Sequence, residues 1–240
     1  SLHDALPIYV RGQKRFLGDV AHELASPVAR LRLGLEILAS RVPVDDAERI
    51  ADVLEEVQHM SDLVDELLSF TRAEVAPRSA AIEAVDFHAL AMRVVAREGN
   101  PGVDLQLEVP DDFHVLADRE LLARALGNLV RNALRYAKDS GPIRIVAARE
   151  AGQARIDVVD RGPGVPEEAL PRLFEPFFRP EAARSRDTGG TGLGLAIVRA
   201  CVAACNGTVQ AENVAPRGFR VTVRLELPAT HNATGRHPAV

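Results

Sequence analysis

The chain has 240 residues, of which 47% are hydrophobic, so it has enough apolar content for the core of one large domain or two small ones. Its formal net charge of −5, from 29 basic and 34 acidic side chains, excludes the basic surface expected of a nucleic-acid-binding protein. Its two cysteines, Cys201 and Cys205, lie in an apolar helical stretch without a nearby histidine. We therefore expect a buried, reduced pair rather than a disulfide or a metal site.

The chain ends give a separate set of expectations. No apolar run reaches the roughly 18 residues needed to cross a bilayer, and no signal-peptide pattern is present. The sequence does not begin with Met, and Pro7 interrupts residues 1–12, which we interpret as a chain end or linker. We expect the sequence to be a fragment of a longer protein.

The N-terminal part predicts two long helices that form an antiparallel hairpin. Apolar residues recur at steps of three and four along both helices, and one hairpin has little core of its own. The pattern favours a homodimer in which two hairpins form a four-helix bundle, and the alternative is a hairpin packed on the chain's own second domain. The apolar positions are Leu17, Val20, Leu24, Val28, Leu31, Leu35 and Leu38 in the first helix, and Ile50, Val53, Val57, Met60, Val64 and Leu67 in the second.

One histidine points away from this apolar seam. His22 follows Val20 by two residues, which places it about 200° around the helix at ~100° per residue. Ser26 lies one turn further along the same outward face, and Glu23 is adjacent to His22. An exposed imidazole beside a carboxylate and a hydroxyl indicates chemistry, and an ordinary solvated histidine is the plainer alternative.

After a polar connector near residues 73–81 the pattern becomes α+β. Strands are predicted at 103–109, 143–149, 155–160, 208–212 and 219–227, and helices at 88–97, 118–137 and 193–204. This order favours a mixed sheet covered on one face by helices. Residues 230–240 are short and polar, and we expect a disordered tail.

Three separated segments carry residue types that suit a nucleotide. Asn128, Asn132 and Arg135 share one helix face, and neutral amide oxygens suit Mg²⁺ that a triphosphate already holds. At a predicted strand end, Asp160 can accept a hydrogen bond from an exocyclic amine. Gly162 and Gly164 then let a flat base approach the backbone. Either segment alone also fits a solvated helix face or an ordinary turn.

The third segment, GGTGLGLAI at residues 189–197, opens an apolar helix. Its free backbone N–H groups and the positive end of the helix dipole can meet phosphates. No Gly-Lys-Ser/Thr follows, so the segment is not a Walker loop. Residues 180–188, with Arg184 and Arg186, suggest a mobile basic lid over the phosphates.

Together these segments resemble the bacterial sensor histidine kinases of two-component systems, over roughly residues 13–228. Residues 22–27 match the H box, 128–136 the N box, 160–164 the G1 box, 174–179 the F box and 190–194 the G2 box, in the family's order. The closest likeness is to Cpx-type and osmosensor-like membrane kinases. The resemblance implies an α+β chain with a helical hairpin in a dimeric four-helix bundle (13–76), then an α/β sandwich of Bergerat type that binds ATP (77–229).

The resemblance also implies residue roles. His22 would accept the phosphoryl group, Glu23 would polarise its imidazole, and Ser26 would serve in dephosphorylation of the regulator. Asn132, assisted by Asn128, would bind Mg²⁺. Ala25 replaces a common Arg and Ser26 replaces the usual Thr, and Ser26 keeps the hydroxyl that the phosphatase role would use. The residues implied to contact ATP are Asn128, Asn132, Arg135, Tyr136, Asp160, Gly162, Gly164, Arg179, Gly190, Thr191, Gly192, Leu193 and Gly194.

The implied function is autophosphorylation on His22 by ATP, then transfer to an Asp of a response regulator, with phosphatase activity on that regulator. The implied partners are a second copy and a receiver domain. The implied location is the cytoplasmic face of the bacterial inner membrane, through a region outside this sequence. Two alternatives stay open. A gyrase- or chaperone-like ATPase needs a catalytic carboxylate in the N-box helix, where this chain carries Arg131 and Arg135. A coiled-coil scaffold with a degenerate nucleotide domain conflicts with the intact glycines and asparagines.

Overall fold

A computed structural model of the chain describes residues 21, 24–39, 44–75, 81–99, 102–137, 140–180 and 190–229. Two helices come first, α1 over residues 24–39 and α2 over Val44–Val75. The remaining elements form an α+β unit. In chain order they are β1 (Glu83–Asp86), α3 (Phe87–Glu98), β2 (Leu105–Glu108), β3 (His114–Ala117), α4 (Arg119–Ala137), β4 (Ile143–Glu150), β5 (Gln153–Asp160), a 3₁₀ helix (Glu167–Arg172), α5 (Gly194–Ala204), β6 (Thr208–Asn213) and β7 (Phe219–Glu226).

The apolar side chains of α1 and α2 divide between two environments. Val28, Val57 and Val64 are buried. Arg32 of α1 donates a hydrogen bond of 3.2 Å to Gln58 of α2, so the two helices contact each other. The predicted seam is therefore only partly covered within one chain, and Leu17 and Val20 lie outside the described residues. The exposed seam residues recur at steps of seven: Leu24, Leu31 and Leu38 on α1, and Val53 and Met60 on α2.

Five strands form a mixed sheet in the order β2-β4-β5-β7-β6, in which only β2 and β4 pair in parallel. Strands β1 and β3 form a separate antiparallel pair. Along β4, Ile143 and Ile145 are fully buried and join the core that α3, α4 and α5 cover. Arg144 lies between them on the opposite face and pairs with Glu108 at 2.6 Å. This alternation gives the sheet one apolar and one charged face.

The predicted mixed sheet with helices on one face is confirmed, and each predicted strand overlaps an observed one. Strands β1 and β3 were not predicted, because their sequences, EAVD and HVLA, do not alternate apolar and polar residues, whereas the equally short β2 lies within the alternating stretch 103–109. Helix α4 follows Asp118, whose Oδ1 accepts from the backbone N–H groups of Glu120 (3.0 Å) and Leu121 (3.1 Å). Helix α2 continues to Val75, so the connector begins later than predicted.

The cysteine prediction is confirmed, since Cys201 and Cys205 are both buried and free. Burial raises the pKa of the Cys201 thiol to about 12 and also raises the pKa of Cys205. Among the helices within the described ranges, none combines the length and apolar character needed to span a bilayer.

Candidate nucleotide site

A pocket opens between α4, the loop after β5 and the glycine-rich segment before α5. The space between its walls is about 1140 Å³, part of which is open solvent. Three segments that are far apart in the sequence meet around it. Most of the predicted ligand-binding residues line it: Asn128, Asn132, Arg135, Tyr136, Asp160, Gly164, Arg179, Gly190, Thr191, Gly192 and Gly194.

Helix α4 presents its predicted polar face to the pocket. Asn128 is only 5% exposed, and its Nδ2 donates a hydrogen bond of 2.9 Å to the Arg124 carbonyl. That bond fixes the amide and leaves its Oδ1 acceptor facing Gly194, where an added Cβ would lie 3.8 Å from it. An added Cβ on Gly190 would lie 3.0 Å from Nη1 of Arg135. The amide oxygen and the guanidinium therefore face the glycine-rich segment.

These residues fit Mg²⁺ held jointly with phosphates rather than a metal held by protein alone. Within the described ranges, no group of three or more His, Cys, Asp or Glu side chains is arranged to hold a metal ion. Mg²⁺ retains much of its hydration and is commonly bound through few protein groups plus substrate phosphates. The fixed, neutral Oδ1 of Asn128 and the nearby Asn132 match that donor set.

Asp160 supplies a buried acceptor at the other end of the pocket. It is 7% exposed, and its Oδ1 accepts a hydrogen bond of 2.7 Å from the Gly162 N–H. Burial raises the pKa of the Asp160 carboxyl above its usual range, while the N–H groups of Gly162 and Phe219 oppose that rise. Apolar neighbours Val165, Leu173 and Phe219 also line the pocket. A planar base with an amine can therefore satisfy both the acceptor and the apolar walls.

The loop after Asp160 is held from the end of β6. The side chain of Asn213 accepts from the Val165 N–H at 2.9 Å and donates to the Val165 carbonyl at 2.8 Å. Gly164 has a φ of +69°, and a Cβ there would lie 2.6 Å from the Asn213 Oδ1. The loop shape thus needs glycine at 164 and an amide side chain at 213.

The glycine-rich segment makes backbone contacts with the F box (residues 174–179) and a side-chain hydrogen bond with α2. Gly192 has a φ of +76°, and a Cβ there would approach the Phe177 backbone to 2.8 Å. The Phe177 N–H donates to the Gly192 carbonyl at 3.0 Å. The Thr191 hydroxyl accepts from the Leu193 N–H at 3.0 Å and donates to the Glu66 carboxylate on α2. These bonds define the backbone path into the N-terminus of α5.

Comparison with protein families matches both parts of the chain. Residues 13–75 match the His Kinase A (phospho-acceptor) domain. Residues 117–229 match the histidine kinase-, DNA gyrase B- and HSP90-like ATPases. The chain belongs to the sensor histidine kinase family.

Individual kinases agree with this assignment. The sensor-like histidine kinase SenX3 of Mycobacterium tuberculosis is 36% identical over 223 residues, which cover 90% of this chain and 54% of that protein. The sensor histidine kinase CpxA of Escherichia coli is 34% identical over 227 residues, covering 93% of this chain and 49% of that protein. Full-length ShkA in complex with AMPPNP has a TM-score of 0.69 at 25% identity and covers 88% of this chain and 45% of that one. The chain spans about half the length of the curated relatives it matches.

Some of the predicted site residues are not at the pocket wall. Leu193 is 1% exposed and belongs to the hydrophobic core, so its side chain contributes packing rather than a ligand contact. Gly162 is also absent from the lining, and its N–H serves Asp160 instead. Ser26 is exposed as predicted, and its Oγ accepts from Nη1 of Arg30 at 2.6 Å. His22, Glu23 and residues 181–189, including Arg184 and Arg186, lie outside the described residues.

Two charged residues of the pocket were not predicted. Arg131 lines it and pairs with Glu98 at 2.9 Å. Its position three residues after Asn128 on α4 is a helical signal that could have identified it. Glu66 lines the same pocket from α2, 125 residues before its partner Thr191, and no local pattern identifies such a contact.

Proposed function

We propose that the chain is a histidine kinase core that transfers the γ-phosphoryl group of ATP to His22 and then to an aspartate of a separate response regulator. The main support is one pocket with a buried carboxylate, Asp160, at one end and a helix N-terminus with Arg135 and Asn128 at the other. Those two ends suit an adenine amine and a polyphosphate respectively.

In this proposal the base lies against Asp160 and the G1 loop, and the phosphates lie along Gly190–Gly194. The backbone N–H groups there and the positive end of the α5 dipole favour anions. Asn132, assisted by Asn128, would hold Mg²⁺, which when bound neutralises charge on the phosphates. Tyr136 and Arg179, both in the pocket lining, complete the set of contacts.

The proposed reaction joins the two family domains. The Nε2 lone pair of His22 attacks the γ-phosphorus, the bond from that phosphorus to the bridging oxygen breaks, and ADP leaves. Glu23 accepts a hydrogen bond from Nδ1–H, which leaves Nε2 as the free nucleophilic nitrogen and stabilises the positive charge that develops on the ring. The phospho-acceptor family match covers both residues. That match also disfavours the gyrase- or chaperone-like alternative, which gives the H box no role.

The phosphoryl group would then pass to the aspartate of a receiver domain. We further propose that Ser26 takes part in the reverse reaction, the dephosphorylation of the regulator. Its exposed hydroxyl accepts a hydrogen bond from Arg30, and Ser26 follows His22 by four residues in the sequence. A hydroxyl at this position can hold an attacking water by hydrogen bonding.

We propose that the kinase is a homodimer through its hairpin. Leu24, Leu31, Leu38, Val53 and Met60 are each close to half exposed in one chain and recur at steps of seven. Covering the exposed half of such side chains stabilises a complex by about 0.7–1.5 kcal/mol each. A second hairpin offers the same spacing, so the two form a four-helix bundle.

Within this proposal, residues 13–76 form the dimerisation and phosphotransfer domain and residues 77–229 the ATP-binding domain. Residues 1–12 serve as a linker and residues 230–240 as a tail. We also propose that the chain acts at the cytoplasmic face of the bacterial inner membrane, as the resemblance to sensor histidine kinases implies.

The test is incubation of the chain with γ-labelled ATP and Mg²⁺. We expect label on the protein that is lost in acid, as for a phosphorus–nitrogen bond. His22→Gln should abolish the label and leave ATP binding intact. His88→Gln is the matched control, because His88 is a partly buried histidine of the sheet domain that bonds the Val109 carbonyl. Acid-labile label that persists in His22→Gln would refute the assignment.

A further inference from the structure

The second helix of the hairpin places a carboxylate in the nucleotide pocket. Glu66 of α2 lines the pocket beside Thr191 and accepts a hydrogen bond from its hydroxyl. The same hydroxyl accepts from the Leu193 N–H at 3.0 Å, directly before α5 begins at Gly194. The Glu66 carboxylate is therefore linked to the start of α5 through the hydroxyl of Thr191.

Packing holds Glu66 in this position. Helix α2 packs against α5. Val64 and Thr71 are buried, and Leu67 packs against the hydrophobic core of the sheet domain. The Thr71 hydroxyl is bound to the Leu68 carbonyl at 3.0 Å. The carboxylate thus lies within a packed contact between the two domains and is not a freely moving surface group.

The surroundings of Glu66 are those expected for an anion site. The N-terminal end of α5 carries a partial positive charge, and Arg135 faces the same glycine-rich segment. In the proposed function this is where the phosphates of ATP bind, and the inference here rests on that function. A fixed carboxylate and a triphosphate repel each other in such a partly enclosed site.

We propose that Glu66 is a residue of the nucleotide site that competes with the phosphates and sets the affinity for ATP. The contact between Glu66 and Thr191 closes the phosphate end when no nucleotide is bound. Binding of a triphosphate displaces the carboxylate from Thr191. By linkage, the free energy by which this contact weakens ATP binding equals the free energy by which bound ATP weakens the contact between α2 and α5.

The test compares Glu66→Gln with the unmodified chain by calorimetry. Glutamine keeps an acceptor for the Thr191 hydroxyl and removes only the charge. With Mg²⁺ present, we expect affinity for a non-hydrolysable ATP analogue to rise about tenfold, within the usual range for coupled sites. The gain should be smaller for ADP and absent for adenosine, which has no phosphate. Added salt should reduce the difference.

Asp65→Asn is the matched control. Asp65 is the exposed neighbour of Glu66 on α2 and does not line the pocket, so loss of its charge should leave all three affinities unchanged. Unchanged or reduced ATP affinity in Glu66→Gln overturns the proposal, and reduced affinity would indicate that the carboxylate helps to hold Mg²⁺. If the unmodified chain binds neither ATP nor adenosine, the proposed function itself fails, which is a separate outcome.

Discussion

The sheet domain and the helical hairpin differ in how completely one chain buries their apolar side chains. In the sheet domain, large side chains such as Phe87, Phe113 and Ile143 are almost completely buried within one chain. In the hairpin, Leu31 is 56% exposed and Met60 47% exposed. The core beneath the nucleotide pocket is therefore completed by one chain, whereas the hairpin leaves apolar side chains exposed that the proposed dimer would cover. In the proposed function, nucleotide binding depends mainly on the sheet domain, with Glu66 of the hairpin also in the pocket lining, and dimerisation depends on the hairpin.

The largest expected effect separates these two dependences. A chain carrying both Leu31→Asp and Met60→Asp should become monomeric, because each chain loses two apolar contacts, each worth about 0.7–1.5 kcal/mol for side chains that are already about half covered. The dimer dissociation constant should rise at least about 100-fold. Light scattering measures the mass, and calorimetry should find ATP affinity unchanged.

Leu33→Asp is the control for that variant. Leu33 is 57% exposed but lies off the seven-residue repeat, so the aspartate should leave the dimer intact. Dissociation in both variants would show that any added charge on α1 disrupts assembly, and an unaffected dimer in the double variant would contradict the proposed interface.

The next effect is confined to the sheet domain. Asp160→Asn should weaken ATP binding about 10- to 100-fold, because the hydrogen bond to the adenine amine loses its charged acceptor. The fold should not lose stability, since asparagine keeps an acceptor for the Gly162 N–H and avoids a buried charge. Calorimetry and thermal unfolding measure the two quantities, and unchanged affinity would argue against this role for Asp160.

The same variant gives a pH test with a defined sign. Because burial raises the pKa of Asp160, its carboxylate takes up a proton at a higher pH than an ordinary aspartate does. ATP affinity should therefore fall on acidification from a higher pH than an ordinary carboxylate would allow, and Asp160→Asn should lack that fall. An identical acid profile in both proteins would assign the titration to another group.

A smaller effect is expected at the G1 loop. Asn213→Ala removes both hydrogen bonds to the Val165 backbone and should lower the free energy of unfolding by about 1–3 kcal/mol. Adenosine affinity should fall with it, while the dimer persists. Gln210→Ala, an exposed change on the same strand, should alter neither quantity. Equal adenosine affinity in Asn213→Ala and the unmodified chain would make Asn213 purely structural.

The residues that sequence could identify share a local signal. Asn128, Asn132 and Arg135 follow from helical spacing, and Asp160 follows from its place at a strand end before glycines. Asn213 and Glu66 act on partners 48 and 125 residues away, and only the folded chain brings them there. The pairing of β1 with β3 is non-local too, because α3 and β2 lie between the two strands in the sequence. Strand β1 also has no apolar–polar alternation of its own.

The apolar seam of the hairpin is a second feature that the local sequence determines only in part. The spacing of three and four predicts one apolar seam on each helix, and the described seam residues divide between buried and exposed positions. Which residues face the partner helix and which remain exposed depends on how α1 and α2 pack, and Val28 and Leu31 fall on different sides of that division.

Mapping the phosphate after incubation with Mg²⁺ and ATP tests the central claim most directly. Peptide mass spectrometry at neutral or basic pH, where phosphohistidine survives, should place the phosphate on His22 in the unmodified chain and find much less in Asp160→Asn. Phosphate on another residue, or inorganic phosphate released without any labelled peptide, would contradict the account.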